Sequence, residues 1–221
     1  GLRNRLKEYY NLGARFAKWR AVITIGNNIP SDACLYSNAH ALARYASLCQ
    51  EAGLVPIVEP EVLMDGNHTI ETCYEVTQRT HNIVFEQLIM HQVILEGIVL
   101  KPNMVISALN CSTQASVDEV AKMTYECLLK NVPGDVAGIA FLSGGQSSNL
   151  ACSHLNRINE LYMDNMPWNV TFSYGRALQN DALKAWAGNN RVEGQKALLK
   201  RAKSNAYASK GIASDLISST M

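Results

Sequence analysis

Lys101 stands directly after the apolar run Ile98-Val99-Leu100 and immediately before Pro102. A lysine so placed has little freedom to reach water. In a partly desolvated pocket beside another cation its neutral amine is favoured, and that amine can attack a carbonyl carbon to form a Schiff base. The plain alternative is a strand-end lysine that snorkels outward. A second apolar run, Val55-Pro56-Ile57-Val58, is followed by Glu59-Pro60-Glu61, which puts two acids just past a strand. Carbinolamine formation, dehydration and carbon–carbon cleavage each move protons, and one positioned carboxylate such as Glu59 can serve several of those steps. Glu61 would hold the network together. For this pair the plain alternative is a solvated loop salt bridge. A third region carries Lys18, Trp19 and Arg20, and Lys18 would supply the neighbouring positive charge.

Two further segments suit an anion. Ser143-Gly144-Gly145 follows Phe141-Leu142, and Gly175-Arg176 follows Phe172-Ser173-Tyr174. Glycines let backbone N–H groups approach a phosphate, and Arg176 adds a forked cation. Either segment alone reads as an ordinary turn, but two on consecutive strand ends point to a phosphate site. The five histidines, His40, His68, His81, His91 and His154, lie in or near helical patterns and read as surface or packing residues. No His/Asp/Glu cluster suggests a metal, and no Gly-x-Gly-x-x-Gly suggests a dinucleotide.

These residues need a frame, and the chain supplies one by alternation. Strands are expected at Ala21–Ile25 with the residues leading into it, Leu54–Val58, Ile98–Leu100, Val136–Leu142 and Val170–Phe172. They are rich in Val, Ile and Leu without polar alternation, as suits strands covered on both faces. Helices are expected at Ser31–Glu51, His68–His91, Ser116–Lys130, Asn149–Tyr162, Arg176–Trp186 and near Glu193–Ser209. Ser116 and Glu119 form a capping-box signature at the start of the third of these. Repeated strand–helix units imply a parallel sheet with helical crossovers. Such units fit a doubly wound open sheet or a (β/α)₈ barrel. The polar residues gathered at strand ends favour the barrel, where active sites are built from the C-terminal ends of several strands.

Composition bounds the rest. The 221 residues carry 20 basic and 19 acidic side chains and are 48% hydrophobic, with no linker to divide them, which suits one domain with an ample core. A net charge of +1 gives no sign of a nucleic-acid or membrane-surface partner. No apolar run reaches membrane-spanning length. The six cysteines are scattered, without Cys-x-x-Cys or zinc-like spacing, and favour a reduced, cytoplasmic chain over the secreted one that the sequons at Asn67, Asn110 and Asn169 would suit.

The run Leu95-Glu96-Gly97-Ile98-Val99-Leu100-Lys101-Pro102-Asn103 resembles the active-site signature of the class I fructose-bisphosphate aldolases. Five other segments are similar to that family, in its order: 13–20, 42–46, 55–61, 141–146 and 172–178. The resemblance implies a (β/α)₈ barrel, usually a homotetramer, that reversibly cleaves fructose 1,6-bisphosphate to dihydroxyacetone phosphate and glyceraldehyde 3-phosphate. It implies Lys101 as the Schiff-base lysine, Glu59 as general acid/base, Lys18 as the assisting lysine and Arg20 close to substrate. Ser143, Gly144, Gly175 and Arg176 correspond to phosphate-binding positions, and Glu61 to a supporting acid. No metal or cofactor is implied.

The resemblance departs in two places. An eight-unit barrel takes about 250 residues, whereas this sequence holds five units, read as the last five plus a C-terminal tail. The three N-terminal units would carry an aspartate and a lysine that complete the family's centre, so the chain is expected to be the C-terminal portion of a longer enzyme, residues 1–221 forming one domain. The tail ends Ser218-Ser219-Thr220-Met221, where many family members end in tyrosine. Two other functions stay open at this point. One is a non-catalytic binding or scaffold protein with cytoskeletal or adhesion partners, although no basic patch marks such a surface. The other is a related Schiff-base lyase, which a substrate panel would separate.

Overall fold

The computed structural model describes residues 1–213, so the expectation about the terminal residues falls outside it. Seven helices and five strands follow one another as α1 (Leu2–Asn11), β1 (Phe16–Ile23), α2 (Asp32–Glu51), β2 (Val55–Val62), α3 (Ile70–Met90), β3 (Val99–Leu100), α4 (Val117–Asn131), β4 (Gly138–Phe141), α5 (Ser148–Tyr162), β5 (Val170–Phe172), α6 (Arg176–Trp186) and α7 (Arg191–Ala208). The strands form one sheet in the order β1-β2-β3-β4-β5, every pair parallel. This order separates the two architectures left open above. A doubly wound sheet reverses its strand order at a switch point. Here each new strand is added on the same side of the last, which is the winding of a (β/α)₈ barrel. The chain holds five consecutive units of that fold.

Side-chain caps set where the helices begin. Ser31, Thr69, Ser116, Ser147 and Asn190 each accept a hydrogen bond from the backbone N–H three residues on. Each such cap stabilises its helix by about 1 kcal/mol. The Ser116/Glu119 capping box forms in both directions, at 3.2 and 3.3 Å. The helices bury one face against the sheet. On α2 that face is Leu35, Ala39, Leu42, Ala43, Ala46 and Cys49, at helical spacing. Val58, Leu100, Ile139 and Phe141 of the central strands are buried to 1% exposure or less, each contributing roughly 1.5–3 kcal/mol. All six cysteines are free thiols.

Two elements differ from expectation. Residues 2–11 form a helix, although their charged sequence buries only Leu6; a paired Arg3–Glu51 contact (2.8 and 3.1 Å) ties it to α2. Strand β2 runs on through Glu59, Pro60 and Glu61 to Val62, so the two acids sit inside a strand rather than past its end. Prolines are tolerated there because of parity. Even-numbered residues of β2 direct their backbone groups toward β3, as the Lys101 N–H to Val58 O bond shows. β3 pairs over only two residues, so the N–H groups missing at Pro56 and Pro60 have no ladder partner to lose.

Candidate active site

The alternation of strand side chains puts Lys18 and Arg20 of β1 on one face of the sheet, with Glu59 and Glu61 of β2 on the same face. The parallel register pairs Lys18 with Ile57 and Arg20 with Glu59. Each cation therefore reaches diagonally to the acid two residues further on. Lys18 Nζ lies 3.1 Å from Glu59 Oε2, and Arg20 Nη1 donates to Glu61 Oε2 at 2.9 Å. The pairing Val58–Leu100 continues one residue past β3 and brings Lys101 beside Glu59, with Lys101 Nζ 2.9 Å from Glu59 Oε1.

One carboxylate thus lies between two lysines. Its side chain is 3% exposed, Lys101 is 13% exposed and Lys18 is 45% exposed. Lys18 approaches Oε2 off the hydrogen-bonding direction, so that oxygen has an ion pair but no aligned hydrogen bond among the described residues. A buried carboxylate with an uncommitted lone pair is suited to take up and return protons. The cluster could not persist without its pairing, since a lone buried charge is strongly destabilising.

Asn103, named above only as part of a motif, braces this centre. Its Oδ1 accepts from Val62 N (3.0 Å), at the next position where β2 faces an unfilled β3 ladder. Its Nδ2 donates to Thr77 Oγ1 and Met104 O, each at 3.1 Å. The side chain stands in for the strand that β3 does not supply, and fixes the acids of β2 relative to the segment that follows Lys101. A two-residue strand cannot be read from an apolar run, so no sequence signal gave Asn103 this role.

The anion candidates lie one and two strands away. Gln146 N donates to Ser143 O at 3.0 Å, closing a tight turn through Gly144 (φ 53°) and Gly145 (φ 74°). Positive φ at both central residues is the requirement of a type I′ turn, which glycine meets without strain. Met64 packs beneath it, with its Sδ 3.0 Å from where a Cβ on Gly145 would stand. The N–H groups of Gly144 and Gly145 have no acceptor among the described residues. The pairing Phe141–Phe172 sets the loop after β5 level with this turn. There Gly175 caps α6 and Arg176 is its first helical residue, exposed and without an ion pair among the described residues. Open N–H groups at a helix start and a nearby guanidinium suit a phosphate.

The structure thus joins Lys18, Lys101 and Glu59 in one cluster, with the Arg20–Glu61 pair beside it. Ser143, Gly144, Gly175 and Arg176 stand in two loops at the same end of the sheet. Among the histidines, His81 is fully buried, neither ring nitrogen has a partner among the described residues, and burial pushes its pKa down to about 4. His154 is buried as well. Among the described residues no His/Cys/Asp/Glu group could hold a metal, and no helix is long and apolar enough to cross a membrane.

A singly wound parallel sheet with a lysine–carboxylate cluster at its C-terminal strand ends defines a candidate site of the (β/α)₈ barrel type. Comparison with known proteins makes the family specific. The family model for fructose-bisphosphate aldolase class-I matches residues 1–220. A probable fructose-bisphosphate aldolase class 1 of Xanthomonas campestris pv. campestris is 56% identical over 214 residues, covering 96% of this chain and 64% of the relative. The cytosolic fructose-bisphosphate aldolase 4 of Arabidopsis thaliana is 52% identical, covering 96% of this chain and 54% of the relative. Among solved structures, a Plasmodium falciparum fructose-bisphosphate aldolase, in complex with TRAP and a small molecule inhibitor, is similar with a TM-score of 0.93 and 47% identity. That match covers 96% of this chain and 62% of the other. The chain belongs to the class-I fructose-bisphosphate aldolase family, and it spans under two thirds of the length of these relatives.

Proposed function

We propose that this chain carries the Schiff-base centre of an enzyme that reversibly cleaves fructose 1,6-bisphosphate to dihydroxyacetone phosphate and glyceraldehyde 3-phosphate. The observation that carries the reading is the buried Glu59 carboxylate held between Lys101 and Lys18. Lys101 gives a proton to Glu59, and its amine adds to the ketone carbon of the substrate. The resulting carbinolamine takes a proton back on oxygen and loses water to give an iminium ion. Removing the proton from the hydroxyl on C4 breaks the C3–C4 bond. The aldehyde leaves, and the bonding electrons stay on the enamine. Protonation of that enamine at C3 and hydrolysis of the iminium release the ketone and restore Lys101.

Lys18 assists by orienting Glu59 and by favouring negative charge on the departing oxygen. Arg20, held by Glu61, binds substrate near the reacting carbons. Ser143, Gly144, Gly175 and Arg176 bind one phosphate. In this reading the five units act as one domain of a barrel that works in the cytoplasm as a homotetramer; light scattering on the purified protein tests that assembly.

The test is borohydride trapping of the full-length gene product with dihydroxyacetone phosphate, followed by peptide mapping. A reduced adduct on Lys101 is expected, and absence of any adduct on the folded full-length protein sinks the reading. A sugar lacking one phosphate should react much more slowly, which separates this enzyme from a related Schiff-base lyase. The TRAP complex of the Plasmodium falciparum relative favours a second reading, in which the chain also binds a cytoskeletal or adhesion partner. Loss of partner capture on adding substrate would test whether such binding uses the same face.

A further inference from the structure

Gln146 closes the Ser143–Gln146 turn through its backbone, and its side chain points into the protein, where the residue is 8% exposed. There it makes two contacts. Its Oε1 lies 2.6 Å from His154 Nδ1, and its Nε2 lies 3.7 Å from Met104 Sδ. His154 sits on α5, 3% exposed, and its Nε2 has no partner among the described residues. These contacts fix the tautomer. With the amide oxygen turned to the ring, Nδ1 carries the hydrogen and donates it, which leaves Nε2 as a bare acceptor. A bare acceptor is a cheaper group to bury than an unpaired N–H. Burial also pushes the imidazole pKa down to about 4, so the ring stays neutral near pH 7 and keeps this single donor arrangement.

Among the described residues the turn has no other side-chain anchor of this kind. Met64 supports it from below only by van der Waals contact with Gly144 and Gly145. We propose that His154 is a positioning residue for phosphate binding: through Gln146 it holds the Ser143–Gln146 turn in the one shape whose free N–H groups converge on an anion. It does not touch substrate itself. The inference rests on the reading of this turn as part of the phosphate site, and it adds a residue that the sequence pattern assigns to packing.

This role separates from a purely structural one by its dependence on the phosphate. The informative variants are His154→Leu, which fills the space without a donor, and His154→Asn, whose Nδ2 can stand near the lost Nδ1 and donate to Gln146. Each is made in the full-length protein. Borohydride trapping on Lys101 is then titrated with dihydroxyacetone phosphate and, separately, with unphosphorylated dihydroxyacetone. For His154→Leu, half-saturation by the phosphorylated ketone should rise about tenfold, the scale of one lost ordering hydrogen bond. Half-saturation by the unphosphorylated ketone should stay within about twofold, and His154→Asn should restore the phosphorylated value to within about twofold. Should the leucine variant not fold, His154→Ser, too short to reach Gln146, takes its place. Equal shifts for both ketones, or no shift for either, overturn the inference while leaving the aldolase reading intact. A wild-type protein that traps neither ketone overturns both.

Discussion

The charged centre on β1–β3 and the anion loops after β4 and β5 lie at the same end of one sheet, yet they are built in opposite ways. Around Glu59 the partners are already present. Lys18 and Lys101 flank one acid, Arg20 grips the next, and Asn103 pins the strand that carries both acids. Among the described residues the loops hold donors that lack acceptors: two turn N–H groups, the start of α6 and Arg176. The first region is ordered by its own charges, and under the proposed function the second would be completed by a bound phosphate. Damage to the first should therefore appear in kcat, and damage to the second in KM.

The largest effect expected is at the centre. Glu59→Gln keeps the shape but removes the charge and the proton carrier, so kcat should fall on the order of 1,000-fold with KM nearly unchanged. A steady-state cleavage assay checks it, and a change confined to KM would erase the distinction drawn here. Arg176→Ala removes the free guanidinium and should raise KM about 30-fold while lowering kcat much less. Arg176→Lys should fall between, because a point charge replaces a fork. Gly145→Ala forces a Cβ against Met64 at positive φ, and should cost about 1–2 kcal/mol in urea unfolding while raising KM a fewfold.

The last effect is on stability rather than catalysis, and it involves the buried histidines His81 on α3 and His154 on α5. Burial lowers each pKa from 6.5 to about 4. The unfolded chain therefore binds more protons than the folded one once pH drops below 6.5, and stability falls from there down to about 4. Between pH 7 and 5 the loss should be on the order of 2 kcal/mol for each residue. Urea midpoints at the two pH values measure it. His154→Asn should remove about half of the slope, and an unchanged slope would show that the imidazole does not carry it.

The sequence made the centre more legible than the loops' support. Lys101, Glu59, Lys18 and Glu61 stood out because ionisable residues inside or beside apolar runs need a reason to be there. The parallel sheet followed from the unit repeat, although only the observed monotonic pairing excluded the doubly wound alternative. What stayed hidden was set by pairing partners rather than by residue type. β2 reads as ending before Glu59 because the apolar run stops there, and the shortness of β3 is what lets the strand continue through Pro60. Asn103, Gln146 and His154 act through contacts spanning 41, 42 and 8 positions, which no local pattern encodes. Residues 2–11 read only as a polar, charged start, and the Leu2/Leu6 spacing that packs their helix on the core is short enough to be hidden among those charges.

The diagonal register of β1 against β2 has a genetic consequence. The reactive charges are written in parity, at positions 18 and 20 on one strand and 59 and 61 on the other. A single codon inserted before Lys18, with the strand's pairing otherwise kept, would turn Lys18 and Arg20 toward α2 and present Ala17 and Trp19 to the substrate side. Two codons would restore the face but slide Lys18 into Arg20's former place, within reach of Glu61, and leave Glu59 without its partner from β1. The lineage can therefore vary the residues between the charges one at a time, but it cannot change the length of this strand by small steps without losing the centre.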